Sequence, residues 1–168
     1  KALVQDFRIG WRGLVSAPSE ILIPHLRYFT NDSWEVISGL TQTTGHPVLH
    51  MADYAAGRLY VLAIPDNFDD LYKLPPEVLT HIRSILMQDL PLRLEGPGRV
   101  ALFVYDNDTV ILTSFQSDPV EVALVFDESV QEVFDIVFED TLAGRSVPDR
   151  RDRVSGELAF DVKIRPHS

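Results

Sequence analysis

The chain has 168 residues, 45% of them hydrophobic and 24% charged, which is enough to bury the core of one ordinary domain or two very small ones. Its formal net charge of −10 disfavours phosphate backbones and anionic lipid, so neither nucleic acid nor a membrane surface is expected as a partner. The absence of cysteine excludes disulfides, thiolate metal sites and cysteine nucleophiles.

The first third of the chain reads as short strands separated by turn signals. Residues 2–9 and 20–29 have strand-like mixtures of apolar and polar side chains. Between residues 31 and 40 we predict a helical turn, because Asp32 can cap it and Glu35 stands at the spacing of a capping box.

Two apolar runs, residues 47–54 and 58–64, follow around a short turn. The second run is apolar without alternation, which predicts a strand that is covered on both faces. We therefore expect this pair of strands at the centre of the first half.

The clearest helix is predicted over residues 76–88. Prolines at 75 and 76 suit a helix start, and Glu77 complements the positive end of the helix dipole. Apolar residues then recur at helical spacing and predict one buried face: Val78, Leu79, Ile82, Ile85 and Leu86.

From residue 92 onward the hydrophobic period changes to two, which predicts antiparallel strands. Asp106, Asn107 and Asp108 stand between two strand-like runs and predict an exposed hairpin tip. Residues 157–165 alternate so that one face is apolar and the other polar. The other predicted strands are 99–105, 109–115, 119–126 and 132–138, and residues 144–156 are predicted to form an exposed loop.

Together these elements predict an α+β chain that is mainly antiparallel β and sandwich-like, with one clear helix. The composition divides it into residues 1–91, which mix strands and helix, and residues 92–168, which resemble part of a β-sandwich. We expect the two parts to pack as one compact unit.

Three stretches carry a family resemblance. Residues 57–83, GRLYVLAIPDNFDDLYKLPPEVLTHIR, resemble the closing strand and helix of the glutamine-amidotransferase-like α/β domains in large multidomain carbohydrate-active proteins. RVALFVYDNDTVILTSF with PVEVALVF is similar to the start of the β-sandwiches that terminate such proteins, and GELAFDVKIRPHS resembles their last strand. The resemblance implies a C-terminal accessory region within a longer protein, and it carries over no catalytic residue.

Two clusters contain the side chains that metal ions prefer. Asp66, Asn67, Asp69 and Asp70 crowd oxygen ligands into five positions, although the spacing is not that of a calcium-binding loop, and turn formation and helix capping also explain them. His46 and His50 share a face and Asp53 follows, but no third ligand is evident. We therefore predict no metal site and no cofactor, with Asp66, Asp69 and Asp70 as the candidates if one exists.

No catalytic constellation stands out. Glu20, Glu35, Asp53 and Asp66 could supply a carboxylate pair for glycoside hydrolysis, but 25 acidic residues make such pairs common by chance. Ser38-Gly39 lacks the pattern of a nucleophile elbow, and Gly96-Pro97-Gly98 is a turn between strands.

Aromatic residues concentrate in the first half and give the remaining functional hypothesis. Trp11, Trp34 and Tyr54 could stack on sugar rings if they are exposed together, whereas core packing is the ordinary role of such residues. We therefore predict a non-catalytic structural or interaction module whose partners are other domains of the same parent chain. A carbohydrate-binding module is the alternative, and an independent hydrolase is a more distant one. The sequence leaves the cellular compartment open.

Overall fold

The computed structural model describes residues 1–10, 13–27, 33–42, 44–126, 129–147 and 156–166. The chain divides into two compact units, Lys1–Ile82 and Arg83–Ser168. This division falls a little before the compositional boundary at residue 91. Packing of the parts as one compact unit stays a prediction.

The first unit contains a five-stranded antiparallel sheet in the order β2-β1-β3-β4-β5. Its strands are β1 (Ala2–Ile9), β2 (Leu14–Ile23), β3 (Ser33–Leu40), β4 (Gly45–Tyr54) and β5 (Gly57–Leu62). The predicted strand over residues 2–9 is confirmed by β1. The strand predicted over 20–29 occurs earlier in the chain, because β2 ends before Pro24.

The helical turn predicted over residues 31–40 is wrong. Residues 33–40 form strand β3, which pairs with β1 on one side and β4 on the other, while Asp32 lies outside the described residues. Pairing on both sides satisfies the backbone of this segment and outweighs the local capping-box pattern. Gly39 suits the crowded centre of the sheet, because a Cβ there would lie 2.9 Å from a methyl carbon of Val4.

The position predicted for residues 58–64 is also wrong. Strand β5 is an edge strand of the sheet, and Leu59 is 52% exposed. The central strand is β3, and the strand with a continuous buried run is β4, from His46 to Met51. Apolar composition alone does not distinguish a partly exposed edge strand from one covered on both faces.

A 3₁₀ helix (Phe68–Lys73) and helix α1 (Pro76–Leu86) follow the first sheet. The predicted helix is confirmed, with Val78, Leu79 and Ile82 buried. It ends at Leu86, two residues before the predicted end, and Leu86 is 76% exposed. The predicted apolar face therefore stops short of the last turn. Among the residues that the structure describes, no helix is long and apolar enough to cross a membrane.

The second unit contains a four-stranded antiparallel sheet in the order β12-β13-β9-β6 and two separate hairpins. The sheet strands are β6 (Leu92–Glu95), β9 (Val120–Phe126), β12 (Gly144–Val147) and β13 (Glu157–Ile164). One hairpin consists of β7 (Val100–Val104) and β8 (Val110–Ser114), and the other consists of β10 (Val133–Asp135) and β11 (Asp140–Leu142). Both hairpins contribute apolar side chains to the core on one face of this sheet. The fold is thus α+β, mainly antiparallel β, and its second unit is sandwich-like.

The predicted hairpin around residues 106–108 is confirmed. Strands β7 and β8 pair antiparallel, and all three tip residues are exposed. Asp108 has a φ of 60°, a left-handed conformation that aspartate tolerates in turns. The loop predicted over residues 144–156 is corrected at its start, where β12 pairs with β13, and residues 148–155 lie outside the described residues.

The alternation predicted for residues 157–165 is confirmed, with one addition. Phe160 and Ile164 are buried in the core, while Asp161 and Lys163 on the opposite face are exposed. Ala159 also lies on that opposite face but is fully buried, clustered with the small or branched side chains of neighbouring strands. The outer face of this sheet is therefore polar around an apolar centre.

Arg83, near the end of α1, is the first residue of the second unit and is hydrogen bonded to a loop of the same unit. Its guanidinium donates hydrogen bonds to the carbonyl oxygens of Gly96 and Pro97, at 2.8 and 2.7 Å. Burial lowers the pKa of Arg83 from its usual value, but the group remains charged at neutral pH. The loop between β6 and β7 is thus held by two charge-assisted hydrogen bonds.

Candidate functional site

Of the three aromatic residues predicted as a sugar-binding platform, Trp34 and Tyr54 lie on opposite faces of the first sheet. Trp34 lies opposite Met51 in the β3–β4 pair, so these side chains share a face of the sheet. Tyr54 is three residues from Met51 on β4 and therefore points to the other face. Trp11 lies outside the described residues. The structure thus separates Trp34 from Tyr54, although both are exposed.

The register gives Trp34 a different aromatic neighbour, Tyr60. Met51 lies opposite Trp34 on one side and opposite Tyr60 on the other, so the three side chains form a row across β3, β4 and β5. Trp34 is 45% exposed, and Met51 between the rings is buried. Beside the row, Asp53 lies opposite Arg58, with a carboxylate oxygen 3.9 Å from the guanidinium. The sequence alone does not predict this row, because the three residues come from three different strands and only the strand register brings them together.

Two of the predicted candidate metal ligands, Asp66 and Asp70, form ion pairs, and Asp69 lies in the first turn of the 3₁₀ helix. Asp66 pairs with Lys1, and Asp70 pairs with Lys73 at 2.6 Å. The neighbouring Asn67 caps the 3₁₀ helix, its side-chain oxygen accepting a hydrogen bond from the backbone N–H of Asp69 at 3.2 Å. Turn formation and capping therefore account for this loop. Within the described ranges, no group of three or more histidine, aspartate or glutamate side chains could hold a metal ion.

His46 and His50 of β4 are both buried, and two more polar groups from neighbouring segments accompany them. Glu35 lies opposite His50 in the β3–β4 pair, and the ring of His25, after β2, packs edge-on against His46 at 5.0 Å between centroids. Asp53 is three residues from His50, on the other face. The sequence indicated the histidine pair, but the contributions of Glu35 and His25 depend on sheet register and chain path.

Electrostatics keep these two imidazoles neutral. Burial lowers the pKa of His46, and the neighbouring His25 lowers it further, while Glu35 acts in the opposite direction. Burial also lowers the pKa of His50, again opposed by Glu35. Neutral imidazoles are able to act as bases, so the question is whether a nucleophile is aligned with them.

Ser38 lies on strand β3, the same strand as Glu35. Ser38 is buried, and its hydroxyl donates a hydrogen bond to the Glu35 carboxylate rather than to an imidazole. A serine nucleophile needs a base positioned to take its proton and a third group to orient that base. The serine–glutamate contact lacks the intervening histidine. The described contacts therefore place two buried imidazoles near an exposed carboxylate, and that carboxylate accepts a hydrogen bond from a serine.

In the second unit both hairpins, β7–β8 and β10–β11, pack on the same core and expose apolar side chains on the sides that face away from it. We call the two hairpins together the hairpin layer. Val100, Leu102 and Val104 point inward to the core, as do Val110 and Leu112 from β8. The alternate positions, such as Phe103 and its direct cross-strand partner Ile111, point away from the core and are 51% and 45% exposed. In β10–β11, Val133 and Leu142 pack inward, while Phe134 points outward and is 56% exposed. The hairpin layer therefore has apolar side chains on its outer side as well as on the side that faces the core.

The second half of the chain matches a known protein family. Residues 91–168 match the family described as probable glycosyl hydrolase, C-terminal domain. The match covers just under half of the chain and includes every strand of the second unit. It supports a C-terminal accessory region of a carbohydrate-related protein, as the resemblance in residues 99–168 implied. No curated protein and no solved structure matches the chain.

Proposed function

We propose that this chain is a non-catalytic structural or interaction module from the C-terminal region of a larger carbohydrate-related protein. The observation that carries the proposal is the family match of residues 91–168, whose description assigns the matched residues to the C-terminal domain of a glycosyl hydrolase. In this proposal the hydrolytic groups reside in the partner domain, and the chain contributes by packing against it.

The contacts of the candidate catalytic groups support a structural role. Glu35 accepts a hydrogen bond from Ser38, Asp53 faces Arg58, and Asp66 pairs with Lys1. A glycosidase instead needs two carboxyl groups held about 5 to 10 Å apart across a sugar, one of them with a raised pKa. In this structure each of the three carboxylates instead lies beside a side chain of the chain itself.

The direct test is an activity assay of the 168-residue chain on chromogenic glycosides, esters and amides, with a known glycosidase as positive control. We expect no turnover above the buffer rate. Hydrolysis that co-purifies with the chain and is abolished by Glu35→Gln, but retained in the matched variant Glu20→Gln, would overturn the proposal in favour of an independent hydrolase.

A carbohydrate-binding module is the second candidate, and the row Trp34–Met51–Tyr60 is the observation that favours it. Aromatic faces stack on the apolar faces of sugar rings, and the adjacent Asp53 and Arg58 could hydrogen bond to hydroxyl groups. Affinity electrophoresis in gels containing soluble polysaccharides tests it. Retardation that is lost in Trp34→Ala and kept in Tyr54→Ala, on the opposite face, would support this candidate over the packing module.

The resemblance of residues 57–83 to the end of a glutamine-amidotransferase-like α/β domain stays a prediction. Such domains are built on largely parallel sheets, whereas the pairings described for the first sheet are antiparallel. The proposed function does not depend on this resemblance, since the family match begins at residue 91.

A further inference from the structure

The outward positions of the hairpin layer carry the residues that an interface would bury. Eight large apolar side chains of this layer and its turns are 45 to 74% exposed: Phe103, Tyr105, Ile111, Phe115, Phe134, Ile136, Val137 and Phe138. A sheet with one solvated face normally alternates apolar and polar residues. In β7 and β8 the outward pair Phe103 and Ile111 is instead apolar, and the next outward pair is Ala101 with Thr113.

The area of these side chains is of the size that stable interfaces bury. Aromatic side chains bury roughly 200 Å² each when fully covered, so the five aromatic residues at about half exposure present roughly 500 Å², and the three aliphatic side chains add to that area. One partner in a standard protein–protein interface contributes about 800 Å², whereas apolar patches on monomers commonly measure only about 300–600 Å². The area therefore calls for a protein surface as the occupant.

The charges around these residues define the chemistry of that partner. In residues 99–115 and 130–143 there is one basic residue, Arg99, against six acidic residues, and a second basic residue, Arg165, lies with its guanidinium 4.8 Å from the centre of the Phe138 ring. The acidic residues are Asp106, Asp108, Glu132, Asp135, Glu139 and Asp140. A complementary surface would have an apolar centre and a rim of lysine and arginine.

The same charges argue against a second copy of this chain. A symmetric dimer places identical patches against each other, so the acidic hairpin tips and turns of both copies would meet around the contact. Like charges at an interface rim cost binding energy and slow the association. The net charge of −10 on each copy adds to this repulsion.

We infer that this chain binds the hydrolase domain through the outer side of the hairpin layer. The surface of the hydrolase domain that it contacts is an apolar patch with a rim of basic residues. This inference rests on the proposed function and adds the location and chemistry of the contact. Phe103 and Ile111, paired directly across β7 and β8, form its centre. The carboxylates at the hairpin turns form the rim that selects and orients the partner.

Hydroxyl-radical footprinting of the intact parent polypeptide and of the 168-residue chain tests the location. Phe103, Tyr105 and Phe115 should be modified several-fold less in the intact polypeptide than in the chain alone. Tyr54, which is 73% exposed in the first unit, serves as the internal control and should react equally in both. Equal modification of Phe103 and Phe115 in the two samples would overturn the inference.

Binding of the separately produced hydrolase domain to the 168-residue chain, measured by calorimetry, tests the chemistry. Phe103→Ser should weaken the dissociation constant at least tenfold, whereas Leu59→Ser, which removes an equally exposed apolar side chain from β5, should leave it unchanged. Asp106→Lys with Asp108→Lys should weaken binding and reduce its salt dependence. Circular dichroism of each variant checks that the fold is retained.

The failures of the two proposals are distinguishable. Protection of other surfaces in the intact polypeptide, with the hairpin layer still reactive, would refute the docking surface and leave the accessory role intact. Intrinsic hydrolysis by the chain would refute the accessory role whatever the footprint. Dimerisation of the chain in sedimentation experiments, abolished by Phe103→Ser, would replace the hydrolase domain with a second copy as the occupant and overturn the inference.

Discussion

Replacement of Phe160 by alanine should be among the most destabilising single substitutions in the second unit. The side chain is fully buried in the core of the four-stranded sheet, and its ring packs edge-to-face on Phe126 at 5.8 Å between centroids. Replacing a buried phenylalanine with alanine typically lowers the free energy of unfolding by about 3–5 kcal/mol, and the loss of an aromatic pair adds about 0.5–1.5 kcal/mol.

The surroundings of Phe160 favour the upper part of that range. A Cβ built at Gly144 on the neighbouring strand β12 would lie only 3.1 Å from a ring carbon of Phe160, so the backbone already packs closely against the ring. Neighbours held by strand pairing on both sides of β13 cannot collapse fully into the cavity. We therefore expect a loss of about 4 kcal/mol, a large share of the roughly 5–15 kcal/mol that stabilises typical domains.

Urea unfolding followed by circular dichroism measures this loss as a lower midpoint at unchanged slope. Phe134→Ala is the matched control, because that ring is 56% exposed and its removal should change the stability by only about 0.5 kcal/mol. Phe160→Leu retains most of the volume and keeps the comparison measurable if the alanine variant does not fold. A loss below about 1 kcal/mol for Phe160→Ala would refute the assignment of this residue to the core.

Three further predictions concern the first sheet and the helix. Ile82→Ala should lower the free energy of unfolding by about 2–5 kcal/mol in denaturant titrations, while Leu86→Ala, at an exposed site, should change it little. Gly39→Ala should cost about 1–3 kcal/mol in the same assay because its methyl group would overlap a buried side chain. The pKa values of His46 and His50 are lowered in the folded state. Their contribution to the free energy of unfolding should therefore be complete at pH values above the unfolded-state pKa of 6.5, and it should decline as the pH falls below that value. Unfolding measured from pH 7.5 to 5 should show this loss, and replacing both histidines with glutamine should reduce it.

The elements that the sequence predicted well are those defined by neighbouring residues. Helix α1 has its prolines, its acidic first turn and its apolar face within a few turns of one another, and the turn at residues 106–108 is equally local. The alternation of β13 also reflects only its own two faces. Short-range signals of this kind need no knowledge of the rest of the fold.

The errors arose where partners distant in sequence decide the structure. The capping-box spacing of Asp32 and Glu35 is a real local signal, but pairing with β1 and β4 makes residues 33–40 a strand. The edge position of β5 is a property of the whole sheet, so its apolar composition could not reveal it.

The candidate sites depended on register in the same way. The row joining Trp34 to Tyr60 and the position of Glu35 opposite His50 both follow from the irregular pairing of β3 with β4, which shifts between residues 35 and 38. A shift of one residue would exchange the faces of the sheet. Tyr54 could therefore be identified as exposed and aromatic from the sequence, but its separation from Trp34 could not.

The two hydrogen bonds from Arg83 affect the choice of the first residue in a truncated polypeptide that contains only the second unit. The family match begins at residue 91, yet the guanidinium that holds the carbonyls of Gly96 and Pro97 comes from the end of α1. A polypeptide trimmed to residues 91–168 would lack that donor, and a lysine at position 83 could not reproduce the planar fork that reaches both oxygens. A minimal version of the second unit therefore needs to begin upstream of Arg83, with the helix that carries it.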